Sequence, residues 1–164
     1  MDRVTTVADV GVDGLAVLLT RYGLDLQKVA GGETIPGSYW GEPEAGVIGT
    51  RVYVRDDTPI HSLLHEACHI VCMDGERRRT LNGDAGGDDL EESAVCYLQI
   101  LLAEELAEVG RDRIMRDMDA WGYSFRLGST SRWFAEDAED ARRWLVEAEL
   151  LQACGKPAFR LRSA

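Results

Sequence analysis

The feature that most limits how this chain can fold is residues 60–73, a run that is apolar nearly throughout yet carries His61, His65, Glu66 and His69. Polar side chains buried in such a run are costly unless each finds a partner. Before it, Asp56-Asp57-Thr58-Pro59 breaks any strand. Proline suits the first turn of a helix, and Thr58 or Asp57 can cap it. The run therefore reads as a buried helix, on which residues i and i+4 share a face.

Within it, His65-Glu66-Ala67-Cys68-His69 is an H-E-x-x-H string flanked by Leu63-Leu64 and Ile70-Val71. One helical turn sets the two imidazoles about 6 Å apart along the axis. Both can then converge on one tetrahedral Zn²⁺ at about 2.0–2.1 Å per bond. Glu66 would sit beside the metal without binding it. From there it can take a proton from a water whose pKa zinc lowers to about 7 and deliver it to a leaving amine. His61 completes a row of three, the only histidines of the chain. His61 and His69 lie two turns, about 12 Å, apart and cannot easily share an ion. Only the 65/69 pair has a glutamate beside its first member, so His61 is expected to be a polar cap or cleft-lining residue near the helix entrance.

A catalytic zinc needs a third protein ligand and an open position. With no histidine left, a carboxylate must supply it, and Glu91 and Glu92 on the next apolar helix are the candidates. At about 100° per residue, Leu90, Ala94, Leu98, Leu101 and Leu102 surround the direction of Glu91, whereas Glu92 projects toward Gln99. A carboxylate on the buried face wants a metal or a cation. Glu91 is favoured as the ligand; the alternative is that both are exposed first-turn charges suited to the helix dipole. Cys68 and Cys72 are conceivable soft ligands, but with Cys96 they suit tightly packed helix contacts better.

Around these motifs, the pattern predicts a first helix over 10–22, a short strand over 24–30 and a Gly- and Pro-rich irregular segment over 31–46. A strand with one buried face is expected over 47–55, because Val52 and Val54 alternate with Arg51, Tyr53 and Arg55. Residues 74–89, with four glycines and many charges, read as a mobile connection. Helices are expected over 90–109, with Asp88 and Asp89 as caps and Gly110 ending or bending it, over 111–121, and over 131–151 as one long amphipathic element. The class is α+β, mostly helical, with a small mixed or antiparallel sheet beside the H-E-x-x-H helix. One domain over 1–164 is expected, with 111–164 a helical C-terminal extension of it.

Charge narrows the partners. Lys and Arg number 18 against 29 Asp and Glu, a formal net charge of -11. Such a surface repels phosphate backbones and anionic lipid, so nucleic acid and membrane are not expected partners. Arg77-Arg78-Arg79 is too short to reverse that and reads as a solvated helix end or loop. No stretch reaches the roughly 20 apolar residues of a membrane span, and Met1-Asp2-Arg3-Val4 lacks a signal-peptide pattern. A cytoplasmic location without disulfides is expected for Cys68, Cys72, Cys96 and Cys154.

Leu63-Leu64-His65-Glu66-Ala67-Cys68-His69, followed by Glu91-Glu92-Ser93-Ala94-Val95-Cys96-Tyr97-Leu98, resembles the ImmA/IrrE-type group of small gluzincin-like metallopeptidases. That group has H-E-x-x-H, a loop, then E-x-x-A on a second helix. The resemblance covers about residues 46–105 and implies a zincin-like fold. It also implies His65 and His69 as zinc ligands, Glu66 as base, Glu91 as third ligand, and residues 51–55 as an edge strand along the cleft to which an extended peptide could add. The chain departs from the group at Val95, where asparagine is usual, and at Cys68, where glycine is frequent. The expectation is a zinc-dependent peptidase acting on a peptide or protein substrate. The alternative is a zinc-containing protein that binds a partner without hydrolysis. A third role, calcium binding by the acidic loop 82–89, is poorly supported because its carboxylates lack regular spacing; as a lid, the loop could gate the cleft.

Overall fold

The apolar run forms α3 (Ile60–Cys72), in which every residue except His65 is buried. The structure, a computed structural model, describes residues 3–163, so Met1, Asp2 and Ala164 at the ends of the expected domain lie outside it. The first backbone N–H of α3 is satisfied by chain rather than by a side-chain cap: Ile60 N–H donates to the Thr5 carbonyl at 2.8 Å. Thr58 Oγ1, expected as a cap, instead accepts from Arg55 N–H.

Against α3 lies α5 (Asp89–Ala103), which begins where Asp88 accepts a hydrogen bond from Glu91 N–H. This is the expected capping arrangement. The helix stops at Ala103, short of the expected 109, and Gly110 opens the next helix instead of ending this one: α6 (Gly110–Trp121) packs on both α3 and α5. The long helix expected over 131–151 is two, α7 (Thr130–Glu136) and α8 (Glu139–Glu147), separated at Asp137 and Ala138. Asp137 is held there by Arg126. The break turns α8 onto α5 and α7 onto α6, so two faces are covered where a straight helix would cover one.

At the other end of the chain, α1 (Val7–Val10) and α2 (Val12–Thr20) lead into β1 (Asp25–Lys28). The single strand expected over 47–55 is a hairpin of β2 (Gly46–Ile48) and β3 (Arg51–Val54). Gly49 takes φ +61° at the first turn position, the conformation a II′ hairpin requires of glycine. Val52 and Val54 are fully buried, as the alternation predicts. The sheet is mixed, in the order β1-β3-β2, and packs on α3 through β2 and β3. Arg51–Val54 is thus the central strand, not an edge, and has no free side for an added peptide. The outer side of β2 is occupied as well: Val47 N–H donates to Gly37 O, Gly83 N–H to Val47 O and Gly49 N–H to Leu81 O.

The fold is therefore α+β and mostly helical, with eight helices and one three-stranded sheet among the described residues. No described helix is long and apolar enough to cross a membrane.

Residues 74–89 contain α4 (Gly75–Arg79), capped by Asp74 accepting from Arg77 N–H. The arginine triplet is the helix end expected, with Arg79 solvated, but Arg77 and Arg78 are engaged by the fold. Arg78 donates to the Ile70 and Met73 carbonyls at the end of α3 and to Arg162 O in the C-terminal tail. Those carbonyls have no helical partner, and a guanidinium satisfies them while complementing the helix dipole.

Candidate metal centre

His65 and His69, one turn apart on α3, direct their Nε2 atoms at the same carboxylate. Glu92 Oε1 lies 2.9 Å from His65 Nε2 and Glu92 Oε2 lies 3.1 Å from His69 Nε2. Two ligands of one tetrahedral zinc with bonds of about 2.0–2.1 Å stand about 3.3 Å apart, close to each imidazole–carboxylate separation here, which the two histidines make to different oxygens of Glu92. Two imidazole nitrogens and a carboxylate oxygen are also a donor set that zinc accepts. Among the described residues, the clusters of potential ligand atoms are His65/Glu66/His69 and His65/Glu92/Cys96, which share His65 and which Glu92 links through its contact with His69; loop 82–89 forms none.

The carboxylate at the centre is thus Glu92 and not Glu91. Glu91 is buried, as its helical phase predicts, but it turns to other partners. Arg77 grips it with two bonds, Nη1 to Oε1 at 2.8 Å and Nη2 to Oε2 at 2.7 Å, and Arg162 reaches Oε1 at 3.3 Å. A buried carboxylate needs compensation, and here cations from α4 and the C-terminal tail supply it. Glu92 is half exposed because the centre opens to solvent.

Gln99 fixes the tautomer of His65. Its amide nitrogen donates to the His61 carbonyl at 3.1 Å, which leaves its oxygen to accept from His65 Nδ1–H at 2.6 Å. With Nδ1–H held by Gln99, His65 donates Nε2–H to Glu92 in this structure, and it is the Nε2 proton that a metal would displace. Glu92, Cys96 and Gln99, at i, i+4 and i+7, form one stripe of α5 facing His65. Glu92 does project toward Gln99 as expected; Gln99 and Cys96 were not foreseen at the site, although their helical spacing from Glu92 is a signal for them.

Electrostatics match this arrangement. Burial by itself would raise the pKa of Glu92, but bonds and charge from His65 and His69 hold it well below the usual carboxylate range. Burial raises Glu66 above its ordinary value, against the pull of His65 and His69. Burial likewise depresses His61 to about 4, so it is neutral. His61 is neither cap nor lining residue. It is 1% exposed, with Nδ1 3.2 Å from the Tyr123 hydroxyl and its ring 5.1 Å from that of Trp121. It thus supports two aromatics of the cleft from beneath. Tyr123, from the turn after α6, carried no signal in the sequence. Cys68, Cys72 and Cys96 are buried free thiols, and Cys154 is free and exposed.

Two cavities meet at the centre, sharing Trp40, His65, Glu66 and Glu92. One, of about 310 Å³, is walled by Tyr39 and loop 83–87. That loop is tied down by Arg77 Nη2 on Ala85 O, by Gly83 on Val47 and by the bridge from Asn82 to Ile48. The other, of about 510 Å³, lies toward Trp121 and Tyr123. Glu66 lines both, so it can meet a molecule that spans them.

No protein-family model, curated protein or solved structure matches the chain.

Proposed function

We propose that this protein is a zinc-dependent metallopeptidase, in which His65, His69 and Glu92 hold the ion and Glu66 is the catalytic base. The observation that carries the reading is the Glu92 carboxylate spanning both Nε2 atoms beside Glu66, at the junction of two solvent-open cavities. Zinc, when bound, supplies Lewis acidity, lowering the pKa of a water and polarising a carbonyl. The protein does the rest. Glu66, buried beside both imidazoles and lining both cavities, takes the proton of the attacking water and hands it to the departing amine. Gln99 keeps His65 in the binding tautomer. The resemblance to the ImmA/IrrE-type group supports the same chemistry through H-E-x-x-H, with the third ligand moved one residue on from the glutamate of the E-x-x-A string. A peptide would lie across the cavities rather than add to β3, whose two sides are taken.

The test is metal content followed by cleavage. Purified protein is expected to carry about one zinc per chain, lost in His65→Ala, while Glu66→Gln keeps zinc and loses hydrolysis of a peptide library. Protein that folds fully and binds no zinc would overturn the reading. A zinc-loaded wild type that cuts nothing, and behaves as Glu66→Gln does, would move the protein to partner binding without hydrolysis.

A further inference from the structure

The larger cavity has a chemistry of its own. Trp40, Trp121 and Tyr123 wall it, Glu44 and Ser62 line its side, and no lysine or arginine faces it. Glu44 is placed with care. Its neighbour Ala45 donates its N–H to Ser62 Oγ at 2.9 Å, which anchors the irregular segment to α3. The Trp121 indole N–H then donates to Glu44 Oε1 at 2.7 Å. The indole engages one oxygen of the carboxylate, and no lysine or arginine lines the cavity to pair with it. Glu66 and Glu92 have tasks in the proposed reaction; Glu44 has none.

A carboxylate among aromatic faces, held by an indole and not by a lysine or arginine, is suited to a guanidinium or ammonium group. The carboxylate gives a charge-assisted hydrogen bond and the rings give cation–π attraction. An acidic side chain would meet Glu44 and Glu66. A neutral apolar one would strip water from Glu44 without replacing it. We propose that this cavity is the side-chain subsite next to the scissile bond, and that it selects arginine or lysine through Glu44. The assignment rests on the peptidase reading above, which the experiment can judge separately.

Cuts made by the zinc-loaded protein in a mixed peptide library are mapped by mass spectrometry. A peptide containing a mapped cut is then synthesised with arginine at the subsite position and again with citrulline, which has the same shape and no charge. Cuts are expected beside basic residues, with kcat/KM for the arginine peptide about tenfold or more above that for citrulline. In Glu44→Gln that ratio falls toward one. Glutamine still accepts from the Trp121 N–H, so the tie is kept and only the charge is removed, and a ratio cancels any general loss of activity. Cuts without a basic neighbour, or a ratio unchanged in Glu44→Gln, would overturn the subsite. If the library is not cut at all, the peptidase reading fails, and the cavity is judged by binding. Basic peptides of the library, each paired with its citrulline counterpart, are titrated into the zinc-loaded protein, followed by isothermal titration calorimetry. Tighter binding of the basic peptide that Glu44→Gln removes supports a cation site; equal binding overturns it.

Discussion

Adjacent glutamates on α5 carry opposite duties, and single substitutions should separate them. Glu92→Ala is expected to lower zinc affinity by more than the roughly 10–100-fold typical of losing an outer partner, with the fold intact. Glu91→Gln should retain one zinc but cost about 2–3 kcal/mol in chemical denaturation, because Arg77 and Arg162 are left partly buried without their shared anion. Equal metal loss in the two variants would refute this division. Gln99→Leu removes the bond to His65 Nδ1 together with the one to the His61 carbonyl and should weaken zinc about 10–100-fold. His61 gives a pH signature. Its folded pKa, about 4, lies below its ordinary 6.5, so the unfolded chain binds the extra proton between those values. Its contribution is complete above pH 6.5 and is lost as pH falls through 4, by up to about 3 kcal/mol. NMR titration of its ring should show the low value, and His61→Phe should flatten that limb of stability against pH.

At the scale of elements, α4 matters more than its length suggests. Arg78 ties the end of α3 to the C-terminal tail, whose Arg162 N–H also donates to Val71 O and whose guanidinium donates to Cys72 O. Arg78→Ala should therefore cost about 1–3 kcal/mol, since several carbonyls lose a charged donor. Arg79, next in the chain, is an exposed partner of exposed Glu76, and Arg79→Ala should leave the denaturation midpoint unchanged. A sequence pattern cannot separate these two arginines, because helix phase in so short an element depends on where it docks.

For the molecule as a whole, the core and the centre are separable. Leu63, Leu64, Ile70, Leu98 and Ile100 are fully buried on the α3 and α5 faces that build the core, while His65 and Glu92 face the open cleft. Chelation is accordingly expected to leave the helical circular dichroism unchanged, unlike a zinc finger that unfolds without metal. Zinc at about a hundredfold excess over its Kd should add about 2.7 kcal/mol, read as a rise in Tm over the chelated protein. Collapse of the helical signal on chelation would contradict this.

Residues that interact along one helix were determined by the sequence. The H-E-x-x-H spacing, the apolar faces of α3 and α5, the Asp88 cap and the Val52/Val54 alternation all follow from local periodicity, which backbone geometry converts directly into direction. What required the tertiary structure was every choice between helices. Helical phase placed Glu91 inward but could not say whether inward meant metal or cation, because that depends on Arg77 and Arg162 arriving from distant parts of the chain. Likewise, β3 is central because β1 joins it in parallel from a segment well before it, and Tyr123 reaches the cleft only because Gly122, at φ +107°, turns the chain after α6. Local hydrogen bonding and burial are legible in a sequence; the identity of a buried charge's partner is set by packing between segments far apart in it.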